Sequence, residues 1–131
     1  GTPRIAEAIG WNAALTYLGT LNLDQQHKRL LGIARHVATA LRSMGMTVYG
    51  RHDDDDSSVV SFLHPTLHSE DFAHLLDARG VAVRTGHHCA QPLLNRLGIS
   101  GTVRASFYIY NTMQDAEEFL MHVRDILERF A

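Results

Sequence analysis

The sequence predicts an α/β chain of the α+β kind, a small mixed or antiparallel sheet with helices packed on one face. Three observations carry this expectation. Two long stretches of helical periodicity lead the chain. Two β-rich runs then follow each other closely enough to form a hairpin. Beyond them, strands and helices intermix with short connections. At 131 residues the chain is one domain by size and long enough for a real core.

The elements follow in order. Pro3 suits a helix's first turn, where its missing N–H is not needed, and Thr2 is its natural N-cap. Ile5, Ile9, Ala13 and Tyr17 recur at helical spacing beside Ala8, Leu15 and Leu18, and Gly19 ends the run. Asn22 or Asp24 caps a second helix. Its face of Leu30, Leu31, Ala34, Val37, Ala38 and Leu41 continues to Met44, and Gly45 stops it. Residues 46–49 and 58–63, rich in β-branched and aromatic side chains, read as strands. The segment 50–57 between them holds four consecutive aspartates, Asp53 to Asp56. It reads as a solvated hairpin loop rather than a cation site, because adjacent carboxylates do not surround a centre.

Pro65 makes 64–68 a connector, since proline donates nothing to a ladder. Ser69 caps a third helix with Glu70 and Asp71 in its first turn, a core face of Phe72, Leu75 and Leu76, and a stop at Gly80. A strand over 81–84, a short helix over 90–97 closed by Gly98, and a strand over 102–109 come next. Thr112 and Asp115 form a capping box, with Asp in place of Glu. The last helix that it starts carries a core stripe of Phe119, Leu120, Val123, Ile126, Leu127 and Phe130.

Composition narrows the function. A hydrophobic share of 45% and a charged share of 20% are ordinary for a soluble globular protein. A net charge of −2 argues against nucleic-acid or anionic-membrane partners. One cysteine excludes an internal disulfide and suits a reducing compartment, so the expected location is cytoplasmic. No apolar run approaches the ~20 residues of a membrane span. There is no signal-peptide pattern, and the missing initial methionine suggests a processing or cloning boundary. His64, His68, His87, His88 and Cys89 could in principle bind zinc. Only His64 and His68 have the spacing of paired ligands, so no metal is expected. His36, His74 and His122 read as surface or helix residues.

The reactive groups concentrate in one stretch, Arg84-Thr85-Gly86-His87-His88-Cys89-Ala90-Gln91-Pro92, which contains the only cysteine. Arg104 lies on the strand that follows. A thiolate is the reactive form of cysteine, and cationic neighbours such as Arg84, His87 and His88 favour it, so Cys89 is a candidate nucleophile. The alternative is an inert small residue with incidental neighbours.

That stretch resembles the active-site cysteine segment of SUF-type (group II) cysteine desulfurases and their selenocysteine lyase relatives, within the class V aminotransferase family. Gly1-Thr2-Pro3, Arg104-Ala105-Ser106-Phe107 and Tyr110-Asn111-Thr112 resemble three further family segments in the same order, and Arg104 follows Cys89 at the family's spacing. The resemblance covers essentially the whole chain. It implies the C-terminal small domain (1–131) of a fold-type I pyridoxal-phosphate enzyme, with the large domain that bears the cofactor lysine absent.

The resemblance further implies roles. Arg104 grips the substrate carboxylate, and Cys89 attacks the sulfur of L-cysteine to leave L-alanine and a persulfide. Arg84 and His88 position the loop or assist electrostatically. Gly1 and Thr2 contact the cofactor phosphate across a homodimer interface. Sulfur then leaves through an acceptor protein towards iron–sulfur cluster assembly. L-selenocysteine is the alternative substrate, and a stand-alone sulfur-carrier or interaction module without cofactor is the alternative of another class. His27-Lys28 is similar to the family's cofactor-binding His-Lys pair, but it follows Gly-Thr-Pro where the family's pair precedes it. Lys28, the only lysine, therefore reads as a solvated surface residue, and the chain alone is expected to be inactive.

Overall fold

The computed structural model describes residues 1–50 and 57–130. The expected loop reading of Asp53 to Asp56 lies outside the described residues. Among the described residues nine elements follow in order: α1 (Ile5–Gly19), α2 (Leu23–Ser43), β1 (Thr47–Tyr49), β2 (Val59–Leu63), α3 (Ser69–Asp77), β3 (Arg84–Gly86), α4 (Gln91–Leu97), β4 (Thr102–Ser106) and α5 (Met113–Phe130). The strands form one sheet of order β1-β2-β4-β3 in which every pairing is antiparallel. The expected hairpin pairing is present, as Thr47 faces Leu63 and Tyr49 faces Ser61.

Local chemistry sets most boundaries. Asn22 caps α2 by accepting from the Gln25 N–H at 3.1 Å. The helix ends in a Schellman turn: Gly45 N–H donates to Arg42 O and Met46 N–H to Leu41 O, each at 3.0 Å. Gly45 takes φ +83° there, a conformation that side chains disfavour. The same closure recurs at Gly80 and Gly98. The capping box before α5 is complete, with Asp115 N–H on Thr112 Oγ1 at 3.2 Å and Thr112 N–H on Asp115 Oδ2 at 2.8 Å.

Several expected boundaries are corrected. Thr2 is not an N-cap: Arg4 occupies that position and no side chain caps α1. His68 rather than Ser69 caps α3, its Nδ1 accepting from Glu70 N–H at 3.4 Å, while Ser69 is the buried first helical residue. The strand expected at 81–84 runs from Arg84 to Gly86, because Val81 N–H is consumed in closing α3 on Leu76 O. The strand expected to reach residue 109 stops at Ser106, although Phe107 N–H still donates to Ser58 O.

The core lies on one face of the sheet. α2 packs on β1 and β2, α3 packs on β3 and β4, and α5 lies across α2 and α3. Val60 faces Ala105 and Phe62 faces Val103, and these four side chains are buried under the helices. Phe62 is the hub, meeting Phe72 of α3 edge-on at 5.8 Å and Phe119 of α5 at 6.1 Å. Phe130 departs from the expected stripe and is exposed at the end of α5.

α1 departs further. None of its residues is buried, and Ile5, Ile9, Trp11, Leu15 and Tyr17 are all exposed. Among its large apolar side chains only Leu18 is partly covered by the described residues. Among these residues no helix is long and apolar enough to cross a membrane.

Phe62→Ala is expected to destabilise the chain by about 3–5 kcal/mol, because it empties a fully buried site touched from two helices. Urea denaturation measures this, and a loss below about 1 kcal/mol would remove Phe62 from the centre of the core.

Candidate active site

Side chains alternate along a strand, so the register that sends Val103 and Ala105 into the core sends Thr102, Arg104 and Ser106 to the opposite face. There Tyr49, Ser61, Arg104 and Arg84 stand in one cross-strand row, each facing the next. Two arginines directly opposite one another repel, and the same arrangement attracts an anion. Arg104 is half-buried, and its Nε is buried with no partner among the described residues. An unpaired buried guanidinium N–H is costly, and a carboxylate matches it in charge and geometry.

The chain leaves β3 at Gly86 and turns at once. Ala90 N–H donates to His87 O at 2.8 Å, closing a β-turn over His87–Ala90. Both central residues are left-handed, His88 at φ 51° and Cys89 at φ 57°. Each costs on the order of 1–2 kcal/mol outside glycine. Three contacts offset that strain. The turn's own backbone bond is one. Another is Cys89 N–H donating to His87 Nδ1 at 3.1 Å. The third is the His88 ring, whose Nε2 lies 3.1 Å from Thr102 O and 3.0 Å from Thr102 Oγ1. The result presents Cys89 exposed at the apex of a tight turn, a placement that suits an accessible nucleophile. Beneath it the two chain segments meet closely: a Cβ on Gly101 would lie 3.0 Å from Gly86 backbone atoms, so a side chain at 101 would force the two apart.

The tautomer of His88 follows from its partners. A carbonyl can only accept, so Nε2 carries the hydrogen and Nδ1 holds a lone pair. That Nδ1 is buried and unpaired. Burial lowers the pKa of His88 below the ordinary 6.5. The Thr102 hydrogen bond opposes this, and the charges of Arg104, Arg84 and His87 push it lower again. His88 is therefore neutral at neutral pH. Of the two roles that the sequence leaves open for His88, positioning the loop or assisting electrostatically, a neutral ring brings no charge to the second.

The remaining candidates separate. Arg84, His88, Cys89 and Arg104 share one end of the sheet. Gly1 and Thr2 lie exposed ahead of α1. Lys28 is exposed on α2. His64 Nδ1 accepts from Thr66 N–H and Leu67 N–H within its own connector. Among the described residues no group of three or more His, Cys, Asp or Glu could hold a metal ion.

Sequence reasoning missed two residues. Thr102, whose alternation with Arg104 was readable, anchors His88. Arg29 of α2 donates to Asn111 O and, at 2.8 Å, to Ile109 O, which fixes the Tyr108–Asn111 turn.

Residues 1–119 match the family described as Aminotransferase class-V. The chain is 38% identical over 132 residues to a "Probable cysteine desulfurase" of Staphylococcus epidermidis, covering 100% of this chain and 32% of that protein. It superposes with a TM-score of 0.92 on the apo structure of a cysteine desulfurase from Thermococcus onnurineus NA1, at 36% identity, covering 98% of this chain and 32% of that one. The cysteine desulfurase CsdA from Escherichia coli gives a TM-score of 0.89 at 38% identity, with the same coverage of 98% and 32%. The chain thus spans 32% of the length of these relatives.

The depressed pKa of His88 has a stability consequence. As pH falls, the unfolded chain takes up the His88 proton before the folded chain does. The stability that the neutral ring contributes is fully present above 6.5 and is lost as pH falls from there through the depressed folded value. Relative to His88→Gln, which does not titrate, the wild-type chain is expected to lose stability over that interval in urea titrations. A constant difference between the two across that interval would contradict the assignment.

Proposed function

We propose, given that this chain belongs to the aminotransferase class-V family, that it is the C-terminal domain (1–131) of a SUF-type, pyridoxal-phosphate-dependent cysteine desulfurase. The observation that carries this reading is the arginine pair Arg84–Arg104 facing across β3 and β4, beside a turn that exposes the only cysteine. A carboxylate site and an accessible thiol at one end of a sheet suit a reaction in which an amino acid is gripped and relieved of its sulfur.

In this reading Arg104 binds the substrate carboxylate through its planar fork, and its buried, unpartnered Nε–H is one donor ready for an acceptor. Arg84 adds positive charge from the opposite strand. Bound pyridoxal phosphate supplies an electron sink that weakens the substrate's bonds. Its lysine comes from the remaining length of the complete protein, which is a homodimer, and Gly1 and Thr2 reach the cofactor phosphate in the partner subunit. The Cys89 thiolate attacks the sulfur of L-cysteine. An S–S bond forms, the C–S bond breaks, and its electron pair stays with the carbon, which takes a proton to become L-alanine. Cys89 is left as a persulfide, which an acceptor protein collects for iron–sulfur cluster assembly in the cytoplasm. With L-selenocysteine the C–Se bond breaks without nucleophilic help.

Two substitutions in the complete protein test this. Arg104→Ala is expected to lower kcat/KM for cysteine and selenocysteine alike by roughly 10- to 100-fold, the loss expected for hydrogen bonds to a charged group. Arg104→Lys restores only part of it, since an ammonium lacks the fork. Cys89→Ala is expected to abolish desulfuration of cysteine while sparing selenocysteine turnover. Full cysteine turnover in Cys89→Ala, with an acceptor present, would exclude Cys89 as the nucleophile.

A further inference from the structure

The turn that carries Cys89 is strained at two successive residues, and its local hydrogen bonds do not fix where it sits over the sheet. The bonds from Ala90 N–H to His87 O and from Cys89 N–H to His87 Nδ1 both begin and end inside the turn. Beyond them Ala90 O accepts from Leu93 and Leu94 N–H, which ties the far end of the turn to α4 and not to β4. The His88 ring is different, because it reaches 14 residues along the chain to Thr102, two positions before Arg104 and on the same face of β4.

We propose that His88 and Thr102 form a positioning clamp that holds the Cys89 turn at a fixed place beside Arg104, so that it governs attack by the thiol and leaves substrate binding alone. This deepens the desulfurase reading and rests on it. The chemistry of the pair supports the assignment. Thr102 is almost fully buried, with 3% of its surface exposed, so its carbonyl is a rigid anchor that water does not compete for. The carbonyl fixes the Nε2–H tautomer, and the hydroxyl beside it shares the same hydrogen. Arg104, Arg84 and His87, the charged and titratable groups around the ring, all disfavour a second proton on it. The clamp thus works as a neutral hydrogen-bond donor rather than as a charge. It also explains a histidine at a left-handed position, where asparagine and aspartate share its enrichment but have shorter side chains. Attack on sulfur requires the reacting atoms in line and in contact, and a shift of about 1 Å in such a geometry costs on the order of 100-fold in rate. Carboxylate binding by Arg104 depends on β4 itself and does not require the turn.

The test uses the complete protein with His88→Ala, His88→Gln and His88→Asn. A glutamine amide can place an N–H where the histidine Nε2–H was. Asparagine tolerates the left-handed backbone but ends one bond shorter. His88→Ala is expected to lower kcat for cysteine by roughly 10- to 100-fold, with KM and selenocysteine turnover changed by less than about threefold, within the scatter of independent sites. His88→Gln should recover more of the cysteine rate than His88→Asn. Amide hydrogen exchange gives a readout independent of activity: the Ala90 N–H should exchange roughly tenfold faster in His88→Ala while the β2 amides stay unchanged, as local opening of the turn predicts. Equal losses for both substrates, accelerated exchange in β2, or rescue by asparagine equal to that by glutamine would reduce His88 to a structural residue and overturn the clamp. So would unchanged turnover and exchange in His88→Ala. If the wild-type protein forms no persulfide on Cys89, the desulfurase reading fails instead, and the Ala90 exchange rate alone decides the clamp.

Discussion

Everything at the site depends on the pairing of β4 with β2 on one side and β3 on the other. Because alternate side chains point to opposite faces, this one register does two things. It sends Val103 and Ala105 against Val60 and Phe62 to build the core. It also sends Thr102 and Arg104 to the other face, where Arg84 stands opposite Arg104. A slip of one residue would put an arginine under the helices and a valine in the site, so the hydrophobic core enforces the geometry of the polar face. Where the cysteine turn begins, the close approach of Gly101 to Gly86 leaves no room for a side chain at 101.

Much of this was legible in the sequence, and the exceptions have physical reasons. Capping and stop signals are local, so Asn22, the Thr112–Asp115 box and the glycines at 45, 80 and 98 were readable directly. Val81 to Val83 looked like a strand because β-branched residues favour strands. Their place was decided instead by the Schellman closure of α3 and by packing of Val81 and Val83 against the core. The same limit governs the site. Cys89, Arg84 and Arg104 stood out through a motif that resembles a known family. Thr102 did not, because its role exists only once the register brings it under His88. The neutrality of His88 likewise depends on burial and on two arginines that the fold assembles.

α1 carries the complementary lesson. Its apolar spacing reads the same whether the surface that covers it belongs to this chain or to something else. Trp11 is 70% exposed and Ile9 66% exposed, alongside a core in which Phe62 is fully buried. The exposed helix and the exposed Lys28 belong to a chain that spans 32% of the length of its relatives.

The central claim is that Cys89 is the atom to which substrate sulfur is transferred. The most direct measurement treats the complete, cofactor-loaded protein with cysteine labelled by a heavy sulfur isotope and locates the label by peptide mass spectrometry. The account predicts one labelled sulfur atom added to the peptide bearing Cys89, removable by a thiol reductant. Label on another residue, or turnover to alanine with none on Cys89 in the absence of an acceptor, would contradict it.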